Sequence, residues 1–161
     1  MLVLLFYLGE VMYAITCEKV REIAPMVNLQ KFPHTPDFFA GLFNYRGMIV
    51  PVIDLRQLIH GRACTHRLST RIILIDYLKP DKTWAIFGLM AERVTEAVMK
   101  PEQDLIISNV SMQNAPYLGG VLMEKGAMIQ YINVERLSGS LNLLSMLENT
   151  GDSTEDVIEE N

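Results

Sequence analysis

The chain repeats itself. Gly41–Leu58 reads GLFNYRGMIVPVIDLRQL and Gly120–Leu137 reads GVLMEKGAMIQYINVERL, and the two align without a gap at an offset of 79 residues. Gly41 meets Gly120, Gly47 meets Gly126, Ile53 meets Ile132 and Leu58 meets Leu137. Arg46 meets Lys125 and Asp54 meets Asn133. Upstream, Tyr13-Ala-Ile15 resembles Trp84-Ala-Ile86, and Glu18-Lys-Val-Arg-Glu22 resembles Glu92-Arg-Val-Thr-Glu96, in the same order in both halves. A duplication of this length constrains the fold more than any single motif. Whatever one half forms, the other should form again.

Each half is built from short apolar runs separated by turn residues. Strands are expected at Leu2–Leu8, Val11–Thr16, Met26–Gln30, Leu42–Asn44, Met48–Ile53, Arg71–Leu78, Trp84–Met90, Leu105–Ile107, Val121–Glu124 and Ala127–Ile132. These runs favour Val, Ile, Tyr and Phe, which suit a pleated, half-buried surface. Gly9-Glu10, Arg46-Gly47, Lys79-Pro80-Asp81-Lys82 and Lys125-Gly126 mark turns between them. Short helices are expected at Cys17–Ile23, Asp54–His60 and Glu92–Val98, with Asp54 as a cap. A longer C-terminal helix is expected from about Asn133 to Leu147. About five strands per half are enough to close a small barrel, and closure removes the exposed edges that make β proteins aggregate. The residues therefore predict a mainly β protein of two small barrels packed together.

With 161 residues, a chain can bury roughly 70% of its unfolded surface and needs no staples. Its two cysteines, Cys17 and Cys64, cannot make a disulfide framework and read as free thiols in a reducing cytoplasm. Met1–Leu8 is apolar but too short for a membrane span and lacks a basic flank, so it reads as a first buried strand. The formal net charge is -5, unevenly spread. Five of the 19 acids lie in the last thirteen residues, Asn149–Asn161, which hold no base; the rest of the chain carries 14 acids and 14 bases. Residues 1–148 therefore read as one neutral domain and 149–161 as an acidic, disordered tail. A neutral body offers no footprint for nucleic acid or anionic lipid.

No catalytic constellation stands out. His34, His60 and His66 lack an acid–base partner at motif spacing, and no nucleophile elbow, phosphate-binding glycine loop or zinc-protease motif occurs. His60-Gly-Arg-Ala-Cys64-Thr-His66 places three metal-capable side chains close together, which suggests a metal- or small-molecule-sensing role. The competing reading is a solvated loop rich in bases and hydroxyls. Met26, Met48, Met90, Met112, Met123 and Met128 read as core filler, although methionine also suits adaptable binding surfaces. Phe38, Phe39 and Tyr45 either close the first barrel or flank a partner groove. Glu22 and Arg46 both sit among apolar residues and are expected to be partly buried and paired, with Glu96 and Lys125 as their counterparts. A pair present in both halves reads as a structural clamp.

These same residues carry a family resemblance. Gly41-Leu-Phe-Asn-Tyr-Arg-Gly-Met-Ile-Val-Pro-Val-Ile-Asp-Leu55 resembles the signature stretch of the CheW family of chemotaxis coupling proteins. Val20-Arg-Glu22-Ile23 and the proline-bounded Phe32-Pro33-His-Thr-Pro36 are similar to its flanking motifs, and the likeness runs from about Leu2 to Leu147. The resemblance implies two intertwined five-stranded β-barrels, no catalytic activity, no cofactor and no metal. It implies a cytoplasmic adaptor bridging the regulatory domain of a CheA-type histidine kinase to the cytoplasmic tip of a methyl-accepting chemoreceptor. By the same resemblance Glu22 and Arg46 form a salt bridge beneath the receptor-facing surface, and Val20 and Gly41 lie near the receptor groove. Asn44, Gly47, Pro51 and Asp54 match framework positions of the signature. Two departures are visible: Tyr45 stands where Leu is commoner, and Phe87-Gly-Leu-Met-Ala-Glu92 lacks the Val-Asp that many members carry.

Overall fold

The computed structural model describes residues 1–106 and 115–140. Ten strands dominate: β1 Leu2–Leu8, β2 Val11–Thr16, β3 Val20–Pro25, β4 Phe39–Tyr45, β5 Met48–Asp54, β6 Arg71–Leu78, β7 Trp84–Ala91, β8 Arg93–Met99, β9 Leu118–Glu124 and β10 Ala127–Ile132. Helix α1 spans Leu55–His60 and α2 spans Val134–Ser140. The strands form two five-stranded sheets, ordered β8-β1-β2-β10-β9 and β3-β6-β7-β5-β4.

These orders show how the duplication is used. Aligned by repeat, β1 to β5 correspond to β6 to β10. Each sheet takes the leading hairpin of one half (β1-β2 or β6-β7) and the last three strands of the other. The two halves are thus intertwined, and neither makes a sheet by itself. This corrects the expectation, drawn from strand counting, of one self-contained barrel per half. It agrees with the intertwined architecture implied by the family resemblance. In both sheets the exchange is sealed by a parallel pair, β2 with β10 and β5 with β7.

Each sheet curls until its two edges meet. The chain running on from β3 reaches β4, where Gln30 N–H donates to the Leu42 carbonyl at 2.8 Å and Leu42 N–H to that of Gln30 at 2.9 Å. The chain running on from β8 reaches β9 in the same way, through Ile106 and Val121, both bonds 2.9 Å. Gly41 and Gly120 make this approach possible. Their φ angles are +142° and +139°. A Cβ would lie 2.8 Å from the Gln30 carbonyl oxygen at Gly41 and 2.7 Å from that of Ile106 at Gly120. Only glycine allows both the backbone angle and the contact.

The central strands explain the unbroken apolar runs. In β1, Leu4, Phe6 and Leu8 face a large core shared between the sheets, while Val3 and Leu5 face a second core with Ala14, Leu122 and Ile129. A strand buried on both faces cannot alternate polar and apolar residues. The same holds for Ile72–Ile75 of β6, all fully buried. Burying each such side chain contributes about 1.5–3 kcal/mol.

Several local expectations change. Cys17–Ile23 is not a helix but a 3-10 turn at Cys17–Lys19 followed by β3, and Glu92–Val98 is β8. Both segments carry β-branched residues and pair as edge strands, β3 with β6 and β8 with β1. Met26–Gln30 contributes only the bridge at Gln30, and Leu105–Ile107 only the bridge at Ile106, with Ile107 outside the described residues. Strands β4 and β9 begin three residues earlier than expected, because their glycines sit inside the ladder rather than before it. The expected helix from Asn133 is described as far as Ser140, and the 149–161 tail lies outside the described residues.

Candidate interaction surface

The β4–β5 hairpin presents most of the residues singled out from the sequence. Tyr45 pairs with Met48, leaving Arg46-Gly47 as a two-residue turn. Arg46 has φ +51° and Gly47 φ +86°, so both central residues are left-handed, as a type I′ hairpin requires. The Asn44 side-chain oxygen accepts the Gly47 N–H at 2.8 Å and steadies the turn. Lys125-Gly126 repeats it, with φ +47° and +80°. Pro51 pairs with Leu42 just before β5 begins its parallel ladder with β7 at Val52, so its missing N–H falls where no β7 partner waits. Asp54 caps α1 by accepting Gln57 N–H at 3.1 Å, and its other oxygen takes the Cys64 N–H at 2.9 Å. Asn133 caps α2 in parallel, accepting Arg136 N–H at 3.0 Å. Asn44, Gly47 and Asp54 thus shape the hairpin turn and the start of α1, and Pro51 sits where its missing N–H costs nothing.

Glu22, on β3, meets this hairpin. It accepts a hydrogen bond from the Tyr45 hydroxyl, and the Arg46 guanidinium stands 3.9 Å from the same oxygen. Arg46 also lies over the Tyr45 ring at 5.2 Å. The bond to Glu22 holds the Tyr45 hydroxyl above its ordinary pKa, with burial adding to it. The pairing expected between Glu22 and Arg46 is present; Glu22 is half-buried as expected, but Arg46 is not, its side chain being 77% exposed. A left-handed residue at a hairpin tip has water around it, and the sequence neighbours that suggested burial belong to the strands on either side. Arg46 therefore reaches a half-buried Glu22 from the solvent side. On the same strands, Ile23, Met48 and Ile49 are exposed apolar side chains and Val20 is half-buried. Gly41 is buried in β4 at the edge bridge and offers no surface to a partner.

The second half does not repeat the pair. Among the described residues Glu96 and Lys125 form no ion pair; Lys100 bonds Glu124 instead and donates to the Met123 carbonyl at 2.8 Å. Lys100 and Glu124 are 16% and 15% exposed, so the better-shielded clamp is one that the sequence alignment does not pick out.

A second ionic centre went unmarked in the sequence. Glu92 accepts from Arg56 at 2.9 Å, from Thr65 N–H at 3.0 Å and from Gly9 N–H at 2.5 Å, tying the β1–β2 turn, α1 and the following loop to the end of β7. Burial works to raise its carboxyl, but the Thr65 and Gly9 amides and Arg56 outweigh it and hold the pKa below the ordinary value. Its donors at Gly9, Arg56 and Thr65 lie far from it in sequence, so no local spacing marks the centre.

The His60–Cys64–His66 segment does not assemble a ligand set. His60 Nε2 lies 2.8 Å from the Tyr13 hydroxyl, and the Cys64 thiol donates to the Met90 carbonyl at 3.5 Å. Burial and the neighbouring Asp54 push that thiol up, so it stays protonated. Among the described residues no three His, Cys, Asp or Glu side chains converge as a metal site. Of the aromatic cluster, Phe39 joins the core, and half-buried Phe38 and Tyr45 pack against it, with the Tyr45 hydroxyl on Glu22. The methionines divide. Met90 is core and Met26 packs against it, but Met48, Met123 and Met128 are exposed, contrary to expectation; Met112 lies outside the described residues.

The CheW-like domain family model matches residues 2–142, nearly the whole chain. The chain belongs to the CheW-like family. A chemotaxis protein CheW from Klebsiella aerogenes is 29% identical over 143 residues, covering 85% of this chain and 81% of that protein. One from Treponema pallidum is 24% identical over 146 residues, covering 86% and 82%. The crystal structure of the scaffolding protein TtCheW from Thermoanaerobacter tengcongensis superposes with a TM-score of 0.71 at 27% identity, covering 81% of this chain and 82% of that one. Among the described residues no helix is long and apolar enough to cross a membrane. The arrangement of two five-stranded sheets is thus that of a CheW-like domain.

Proposed function

We propose that this CheW-like chain is a non-catalytic chemotaxis adaptor that couples methyl-accepting receptors to a CheA-type histidine kinase. The observation that carries the reading is the family match over residues 2–142. An adaptor needs only surfaces, since linking two partners converts separate affinities into one assembly. It acts in the cytoplasm and reaches membrane receptor arrays through those partners.

The β4–β5 tip supports the receptor-facing role. Glu22, Tyr45 and Arg46 form a charged, hydrogen-bonded rim, and Val20, Ile23, Met48 and Ile49 offer apolar contact next to it. A receptor helix laid there finds apolar anchors and a polar element that sets its orientation. Gly41 contributes by letting the edge strands close under that surface. The test is a titration of isotopically labelled protein with a receptor cytoplasmic-tip fragment, followed by amide shifts. Saturable shifts centred on Val20–Ile23 and Tyr45–Ile49 are expected; saturable binding with shifts confined elsewhere refutes this placement.

A further inference from the structure

The turn end of the β1–β2 hairpin carries a feature that the adaptor reading does not use. An open cavity of about 340 Å³ is lined by Tyr7, Gly9, Glu10, Arg56, Thr65, Arg67, Ser69, Glu92 and Arg93. Three arginines in one wall is unusual in a body with balanced charge. Glu92 is fully engaged by Arg56 and two backbone amides, so its charge is answered inside the wall. Arg67 and Arg93 have no carboxylate partner among the described residues; Arg93 rests on the Tyr7 ring at 4.0 Å. The Arg56 Nε is buried and has no acceptor. Glu10 is the remaining acid on the wall. Between Asp54 and Asp76 the chain has no acid at all but holds Arg56, Arg62, Arg67 and Arg71, which explains the bias locally.

We propose that this cavity binds a small molecule bearing a phosphate monoester. The donors outnumber what a carboxylate accepts: two forked guanidiniums without carboxylate partners and the Ser69 hydroxyl line one cavity, and a phosphate has three terminal oxygens to receive them. The rest of the volume, at the small end for ligand pockets, takes the organic part against Tyr7. Occupation would tie the α1–β6 loop, through Arg67 and Ser69, to β8 through Arg93.

The test titrates the full chain with inorganic phosphate at constant ionic strength, with chloride and succinate in parallel arms, and follows amide shifts. Saturable shifts at Gly9, Thr65, Arg67, Ser69 and Arg93, tighter for phosphate than for succinate and absent with chloride, are expected. Arg67→Ala, on an exposed loop, should weaken phosphate by about threefold or more, and Glu10→Gln, which removes a repelling charge, should tighten it. Shifts that do not saturate, equal binding of succinate, or an affinity unmoved by both variants overturns the proposal. None of these results bears on the receptor or kinase surfaces.

Discussion

Replacing Gly41 by alanine tests how the edges of the second sheet are joined. The new Cβ would stand 2.8 Å from the Gln30 carbonyl oxygen and 2.8 Å from Leu29 Cβ, at a φ of +142° that L side chains rarely adopt. The backbone angle alone costs about 1–3 kcal/mol. Relief of the contact requires the Gln30–Leu42 bridge to move, and its two hydrogen bonds are worth about 1 kcal/mol each. A total of about 3–5 kcal/mol is expected, or a melting temperature lower by about 6–20 °C for a chain of this size. Gly47→Ala is the internal control. Nothing lies within 4 Å of its Cβ, so only the φ of +86° opposes it and the cost should be about 1 kcal/mol. Gly120→Ala should match Gly41→Ala, because Ile106 stands in the place of Gln30. Thermal unfolding followed by circular dichroism reads all three. Equal, small losses for Gly41→Ala and Gly47→Ala would refute the close-approach argument.

Other substitutions separate surface from core. Arg46→Ala removes an exposed pair at 3.9 Å and should lower stability by no more than about 1 kcal/mol, while weakening receptor-fragment binding; a loss of 3 kcal/mol or more by chemical denaturation would return the pair to the interior. Asp54→Ala should cost about 2–3 kcal/mol and Asn133→Ala about 1, since Asp54 is buried and also holds Cys64, and equal losses would contradict this. Glu92→Gln should cost about 2–3 kcal/mol at neutral pH. Because the Glu92 pKa is lowered in the fold, its contribution is complete above the unfolded value of about 4.5 and fades as pH falls through the folded value. Stability measured against pH should therefore be flatter below 4.5 in Glu92→Gln than in the unsubstituted protein, and parallel curves would exclude the role.

Much of this fold was legible because the repeat was. The matched Gly41 and Gly120, Arg46-Gly47 and Lys125-Gly126, and Asp54 and Asn133 occupy equivalent sites, and each pair performs one task twice. What strand counting could not reveal was the exchange of hairpins between halves, since local periodicity does not say which strand a strand will pair with. The apolar spacing of Cys17–Ile23 and Glu92–Val98 is short and fits helix or strand alike, and the pairing of β3 with β6 and of β8 with β1 decides it. The surface was legible as residue types but not as burial. Arg46 follows an apolar strand and precedes another, yet a type I′ tip turns it outward. Glu92 was invisible as a hub because its donors come from Gly9, Arg56 and Thr65, far apart in sequence.

The adaptor reading requires that one chain hold two partners together. Sedimentation of the protein with the regulatory domain of a CheA-type kinase, with a receptor cytoplasmic-tip fragment, and with both, measures this directly. The account predicts saturable one-to-one binding to the kinase domain and a larger ternary species when the receptor fragment is added. Two binary complexes that exclude each other, or a folded protein that binds neither partner, would contradict it.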